Sequence, residues 1–325
     1  NDQYYALGLV MKGLYYTQFT ETHGMIPYSQ ASDPNIALPV YDAQIDIYKG
    51  VISELDQAIS IIGDNTITGP GVSQLGENDV IFNGNMQNWK QLANSLKLRI
   101  ALRAHGSPGE NFSANAASEA IASGVLADTD ALFDAFTTET NIWGGSASYG
   151  DIWHSFAGSQ WRATEAMVNI LQNNDDPRLS KITKPCVGGT MTVLKPTDGE
   201  NVSLIADHVA FLQSTLNEAG LVLGTDYTWT ETATDLTITM PDNTNYVGLP
   251  SRLSGKIKSY MHRDMFSEPS EIVTQKTNEG NPIFPTIVMT TADSHFMIAE
   301  AITKGLVSGD ANTYYQIGLE KAMAL

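Results

Sequence analysis

The chain has 325 residues, 42% of them hydrophobic, which is enough to bury a sizeable core and too much for wholesale disorder. Its formal net charge of −18 excludes a basic face for nucleic acid or an anionic membrane and leaves a solvated acidic surface. A single cysteine, Cys186, rules out an intrachain disulfide, and no apolar run reaches the roughly 18 residues that a membrane span requires.

Residues 3–20 predict a first helix, with Leu7, Val10, Met11, Leu14 and Tyr15 on its inward face. Gly24, Pro27 and Pro34 stop it. Asp42 reads as the N-cap of a second helix, in which Ile45, Tyr48, Ile52, Leu55, Ile59 and Ile62 step by three and four until Gly63. Residues 63–85 are rich in Gly, Asn, Asp and Thr and form a long loop. The helix over 89–104 is apolar around much of its circumference, so it belongs in the interior. Asn94 and Arg99 on it then need backbone carbonyls or a carboxylate as partners. An Ala-rich helix follows at 113–123, and a further helix at 161–173 ends at Asn-Asn-Asp-Asp-Pro.

Residues 187–245 change character. Thr190–Leu194 reads as a strand. Val202–Ala219 reads as an amphipathic helix with Leu204, Ile205, Val209, Leu212 and Leu216 on one side. Asp226–Met240 reads as a Thr-rich hairpin turning near Ala233–Asp235. This β-α-β-β insertion is expected to be compact, peripheral and dispensable for the rest of the fold. Helices at 291–304 and 311–325 close the chain, with Gly305 and Gly309 between them. The helices therefore fall into antiparallel pairs: 3–20 with 42–62, 89–104 with 113–123, and 291–304 with 311–325. The predicted fold is mainly α, a repeat-like set of helix pairs with long loops and one small inserted subdomain. Its expected divisions are a helical body over 1–186 with a ligand-loop region at 128–160, an α/β insertion over 187–245, and a return to the body over 246–325. No leader or lipid-attachment cysteine opens the sequence, and both ends fall inside helical patterns, so the chain reads as truncated at both termini.

No catalytic constellation is present. The six histidines, His23, His105, His154, His208, His262 and His295, form no metal-ligand spacing. There is no Gly-x-Ser-x-Gly elbow and no phosphate-cradling glycine loop. Asp175-Asp176 reads as a helix stop before Pro177, Asp128-x-Asp130 as a solvated helix entry, and neither fits a calcium loop. Cys186, in Lys-Pro-Cys-Val-Gly-Gly, reads as a buried thiol rather than a nucleophile. No cofactor or metal is expected.

The informative stretch is 141–161, where Trp143, Tyr149, Trp153, Phe156 and Trp161 alternate with small polar residues. Flat apolar rings beside Asn, Asp, His and Ser match the C–H faces and hydroxyls of a sugar. Trp143, Tyr149, Trp153, Asn141, Asp151 and His154 are the candidate ligand-binding residues. Trp161 heads the next helix and is assigned to the core. The competing readings are a glycoside hydrolase using carboxylates such as Asp151, and a scaffold whose loops bind another protein.

His23–Ala31 (His-Gly-Met-Ile-Pro-Tyr-Ser-Gln-Ala) and Trp89–Arg103 (Trp-Lys-Gln-Leu-Ala-Asn-Ser-Leu-Lys-Leu-Arg and onward) together resemble segments of the SusD/RagB family. Asn174–Leu179, Tyr246–Pro250, Ala292–Ala301 and Tyr315–Ala322 extend the resemblance in order, and residues 187–245 depart from it. The resemblance implies tetratricopeptide-like helix pairs and a lipid-anchored protein on the outer face of the outer membrane of Bacteroidetes-type cells. It also implies partnership with a TonB-dependent transporter of SusC type in nutrient uptake. The implied ligands are oligosaccharides or polysaccharides, sometimes peptides, and no catalysis is implied.

Overall fold

The structure is a computed structural model that describes all residues except 1, 65–74, 77–78, 134–148, 155–160, 196–200, 251–261 and 277–283. In chain order the elements are α1 (Asp2–His23), α2 (Gln44–Ile62), α3 (Met86–Ala104), α4 (Ser113–Ser123), β1 (Ala131–Phe133) and α5 (Tyr149–Ile152). They continue with α6 (Glu165–Asn173), α7 (Leu179–Ile182), β2 (Gly189–Leu194), α8 (Asn201–Glu218), β3 (Thr228–Glu231), β4 (Asp235–Met240), β5 (Thr286–Met289), α9 (Thr291–Thr303) and α10 (Ala311–Ala324). The chain divides into two compact units, Asn1–Asp134 with Ile287–Leu325, and Ala135–Thr286.

The first unit is built from helix pairs. Cross-links along α1 and α2 run in opposite senses: Gln3 donates to the Ile61 carbonyl, Lys12 pairs with Glu54 at 2.5 Å, and Gln44 donates to the Thr20 carbonyl. The two helices are therefore antiparallel, as the sequence predicts. α3 runs against α2 in the same manner, with Lys90 on the Gly63 carbonyl and Lys97 on Asp56. It also runs against α4, where Lys97 meets Glu119 and the Asn94 amide meets Ser123 Oγ and the Gly124 carbonyl. As its all-round apolar pattern requires, α3 lies inside two clusters. Trp89, Leu92, Leu96 and Ile100 face α1 and α2, while Leu98, Ala101 and Leu102 face α4 and α9. Arg99 finds Glu21 at 2.6 Å, so Asn94 and Arg99 each meet a partner of the expected kind, although Arg99 Nε has none among the described residues. β1 and β5 form a two-stranded sheet beside these helices.

Three readings of the sequence change here. Tyr15 points away from the α1 core and is 53% exposed; the buried face uses Ala6, Leu7, Leu9, Val10 and Leu14 instead. Asp42 does not cap α2, whose N-cap position is Ala43 with no side-chain bond. Its carboxylate instead accepts from Tyr28 N, Ser29 N and Ser29 Oγ at 2.8, 2.9 and 2.7 Å, beside an Ile26–Asp42 bridge. These bonds hold the carboxyl below its usual range, the Ser29 hydroxyl first. The Ile-Pro-Tyr-Ser motif is thus a turn stapled by one aspartate. Asp130 is no solvated helix entry either, since its carboxylate accepts from Thr291 N at 2.6 Å, at the start of α9.

The second unit contains the β-α-β-β insertion. Its sheet order is β2-β4-β3, all antiparallel. The register sets Met191 opposite Ile238 and Val193 opposite Leu236 on the buried face. Thr190 and Thr239 meet on the other face with hydroxyls 3.0 Å apart. α8 adds Ile205, Leu212 and Leu216 to the buried side. The same core continues into Cys186, Val247, Met265 and Phe266, outside the inserted sequence, so the insertion does not own its core. Cys186 is fully buried, and burial pushes its thiol up to about 11, which leaves it inert as predicted. Arg178 closes its own turn, with its guanidinium forked onto Asp176 two residues earlier.

Candidate ligand surface

The site region lies within the second unit, and two segments build it. The first is α5 with Trp153 and His154. Gly150 sits against the 274–275 backbone, and a Cβ there would collide with the Gln275 carbonyl oxygen. His154 Nε2 lies 3.1 Å from the Thr274 carbonyl oxygen, which fastens the same segment at its other end. The Trp153 and His154 rings meet edge to face at 4.9 Å. Trp153 Nε1 is buried and has no acceptor among the described residues.

The second segment is 161–165. Ala163 N donates to the Ser267 carbonyl, Leu249 N to the Ala163 carbonyl, and Glu165 N to the Leu249 carbonyl, at 2.8, 2.7 and 3.0 Å. Gly248 permits this close pass, since a Cβ would strike the Glu165 backbone. The Arg162 side chain is almost fully buried. It donates to the Arg263 and Trp161 carbonyls and lies 3.2 Å from Glu268. Desolvation lowers its affinity for its proton, and Glu268 and Asp264 compensate. A buried, multiply bonded guanidinium next to Trp161 in sequence makes this a rigid mount.

The two segments bring Tyr149 and Trp161 together, with ring centroids 6.1 Å apart and planes tilted by 37°. Tyr149 is 37% and Trp161 40% exposed. Partial burial raises the Tyr149 phenol above its ordinary range, so it stays a neutral donor near pH 7. Of the six residues chosen from sequence, Tyr149, Asp151, Trp153 and His154 fall on one short segment, whereas Asn141 and Trp143 lie outside the described residues. The sequence assigned Trp161 to a helix core, whereas the structure leaves it 40% exposed. The helix begins only at Glu165 after Thr164 in an extended N-cap conformation, so Trp161 belongs to an extended lead-in. The Thr-Glu pair was the available signal. Among the described residues no cluster of three His, Cys, Asp or Glu side chains suits a metal ion, and no helix is long and apolar enough to cross a membrane.

The sequence matches the SusD-like family, described as starch-binding and associating with the outer membrane, over residues 1–212. The chain belongs to this family, whose description is one of binding and not of catalysis. No curated protein matches it in sequence. Among solved structures it is similar to a SusD homologue from Bacteroides uniformis (19% identity, TM-score 0.67, covering 100% of this chain and 53% of that one). It is also similar to a SusD-like protein from Bacteroides thetaiotaomicron (22%, 0.64, 98% and 52%) and to a chitin-binding protein (21%, 0.62, 97% and 55%). The chain thus spans about half the length of these structures. The shared fold is mainly α-helical, with tetratricopeptide-like helix pairs.

Proposed function

We propose that the protein binds a neutral or weakly charged oligosaccharide or polysaccharide against Tyr149 and Trp161, within a family that associates with the outer membrane. The observation that carries this reading is the pair of half-exposed rings held on rigid mounts by Arg162, Gly150 and Gly248. Ring faces bury the C–H face of a sugar, while Asp151 and His154 on the same short segment supply polar contacts. The family description and a chitin-binding structural relative support a glycan rather than a peptide. In this reading the full-length protein is lipid-anchored at the cell surface and delivers its ligand to a SusC-type TonB-dependent transporter for uptake.

The test is calorimetric titration with a panel of malto- and chito-oligosaccharides. Trp161→Ala and Tyr149→Ala should each weaken binding about tenfold, or ~1–2 kcal/mol, with little dependence on salt. Unchanged affinity in both folded variants would move the site elsewhere. Release of reducing ends over time would favour the hydrolase reading, and no glycan binding at all the protein-scaffold reading.

A further inference from the structure

The first unit holds a second concavity. α3, β5 and α9 enclose a cavity of about 520 Å³ lined by Arg99, Arg103, Lys304, Glu300, Phe296 and Met297, with Met289, Asp293 and His105 also on its wall. That volume suits a ligand of mono- to disaccharide or dipeptide size. Charged and apolar side chains share its wall.

The charge is unusual for this chain. Acidic residues outnumber Lys and Arg two to one over the whole sequence, yet the lining carries Arg99, Arg103 and Lys304 against Asp293 and Glu300, with Glu21 paired to Arg99 beside it. Both carboxylates are already engaged. Asp293 accepts from Thr290 N and Thr290 Oγ1 at 2.9 and 2.8 Å in the capping box of α9, and Glu300 pairs with Lys304 at 3.2 Å. Arg99 gives one nitrogen to Glu21, while its buried Nε has no acceptor among the described residues. Arg103, one turn further along α3, is exposed and makes no hydrogen bond or ion pair with any described residue. Arg103 therefore keeps unspent donors one turn beyond the partly exposed Arg99 on the same helix face, and Phe296 and Met297 belong to the same lining.

We infer that this cavity binds an organic carboxylate with an apolar face, held at Arg103 and Arg99 and resting on Phe296 and Met297. A guanidinium fork matches a carboxylate in two parallel bonds, and the apolar side chains in the lining reward an organic body over a bare inorganic anion. The cavity is lined by residues of the first unit alone, so its test does not depend on the aromatic pair. Its natural source is either an acidic sugar or the carboxylate end of a short peptide.

The experiment is ligand-observed NMR titration of the whole chain with D-glucuronate, N-acetylalanine, D-glucose and inorganic phosphate, each at low and high salt. At least one of the two carboxylates should bind, more weakly at high salt, and whichever binds identifies the source. Glucose should leave this site empty. Arg103→Glu should lower carboxylate affinity more than tenfold and Arg103→Lys by less, while Lys184→Glu, a surface change in the second unit, leaves it unchanged. Because Arg103 is exposed, its variants should melt as the parent does, and Arg103→Ala serves as a second variant if the reversal does not fold. Absence of carboxylate binding overturns the inference. So does phosphate binding as tightly as the carboxylates, or affinity untouched by Arg103→Glu.

Discussion

Gly150 shows how much of the proposed ligand surface depends on one missing methyl group. The α5 turn passes so close to Thr274 and Gln275 that a Cβ must push one backbone off the other. His154, four residues on, is bonded to the same strip of backbone, so the segment has no slack at either end. Gly150→Ala should lift α5 and shift Tyr149 relative to Trp161. We expect a loss of about 1–3 kcal/mol in stability, the range for overpacked positions, together with weakened glycan binding. Chemical denaturation and calorimetry on the same sample check this; unchanged values in both would show that α5 moves without cost. At this scale the sequence was half legible. The density of Trp and Tyr in a stretch without helical period pointed to Tyr149 and Trp153. It did not show that Trp161 joins Tyr149, because that meeting depends on Arg162 and on the return of 246–250 beside 163–165. Contacts of that separation leave no local pattern.

α3 is the element on which the first unit turns, and its polar residues carry as much information as its apolar ones. Lys97 is only 3% exposed and reaches Asp56 of α2 and Glu119 of α4 at 2.6 and 2.5 Å. One ammonium thus links three helices, and its methylene stem fills the space between them. The two carboxylates remain about half exposed, so removal of the lysine leaves them hydrated rather than stranded. Lys97→Ala should therefore cost about 2–4 kcal/mol, mostly from lost packing and pairing. Lys97→Met, which keeps the stem, should cost less. Equal losses in denaturant unfolding would show that the charge pairs matter more than the stem. Helix existence and pairing were readable from periodicity, and so was the need of Asn94 and Arg99 for polar partners. Tyr15 was misread because a helix with aromatic residues on both sides has no single best face by composition. Asp42 was misread because a cap and a turn staple ask for the same residue type, and only the fold decides which backbone amides come within reach.

Across the whole molecule the informative fact is that the inserted sequence and its flanks share one core. Met191, Val193, Ile205, Leu212, Leu216, Leu236 and Ile238 come from the insertion; Cys186, Val247, Met265 and Phe266 do not. Alternation and helix stripe predicted the β-α-β-β unit correctly, but they cannot report which outside residues cover its open side. Excision of residues 190–244 with a short Gly-Ser join would uncover Val247, Met265 and Phe266, each worth about 1.5–3 kcal/mol when buried. Together that approaches the stability of an ordinary domain, so the second unit should lose cooperative melting. The first unit has clusters of its own around α1 to α4 and α9, with Trp89 Nε1 bonded to buried Asp79 at 2.7 Å, and should keep its helical signal and a blue-shifted Trp89 emission. Cys186 offers a sharp readout. It is buried and held protonated in the parent, so a thiol reagent should leave it untouched, whereas in the excised variant it should react within minutes. Binding at Tyr149 and Trp161 should vanish with it, because the mount of Trp161 runs through Leu249 and Ser267, neighbours of the uncovered core residues. A variant in which Cys186 stays protected and glycan affinity persists would show the insertion to be the dispensable, peripheral unit that its sequence suggested.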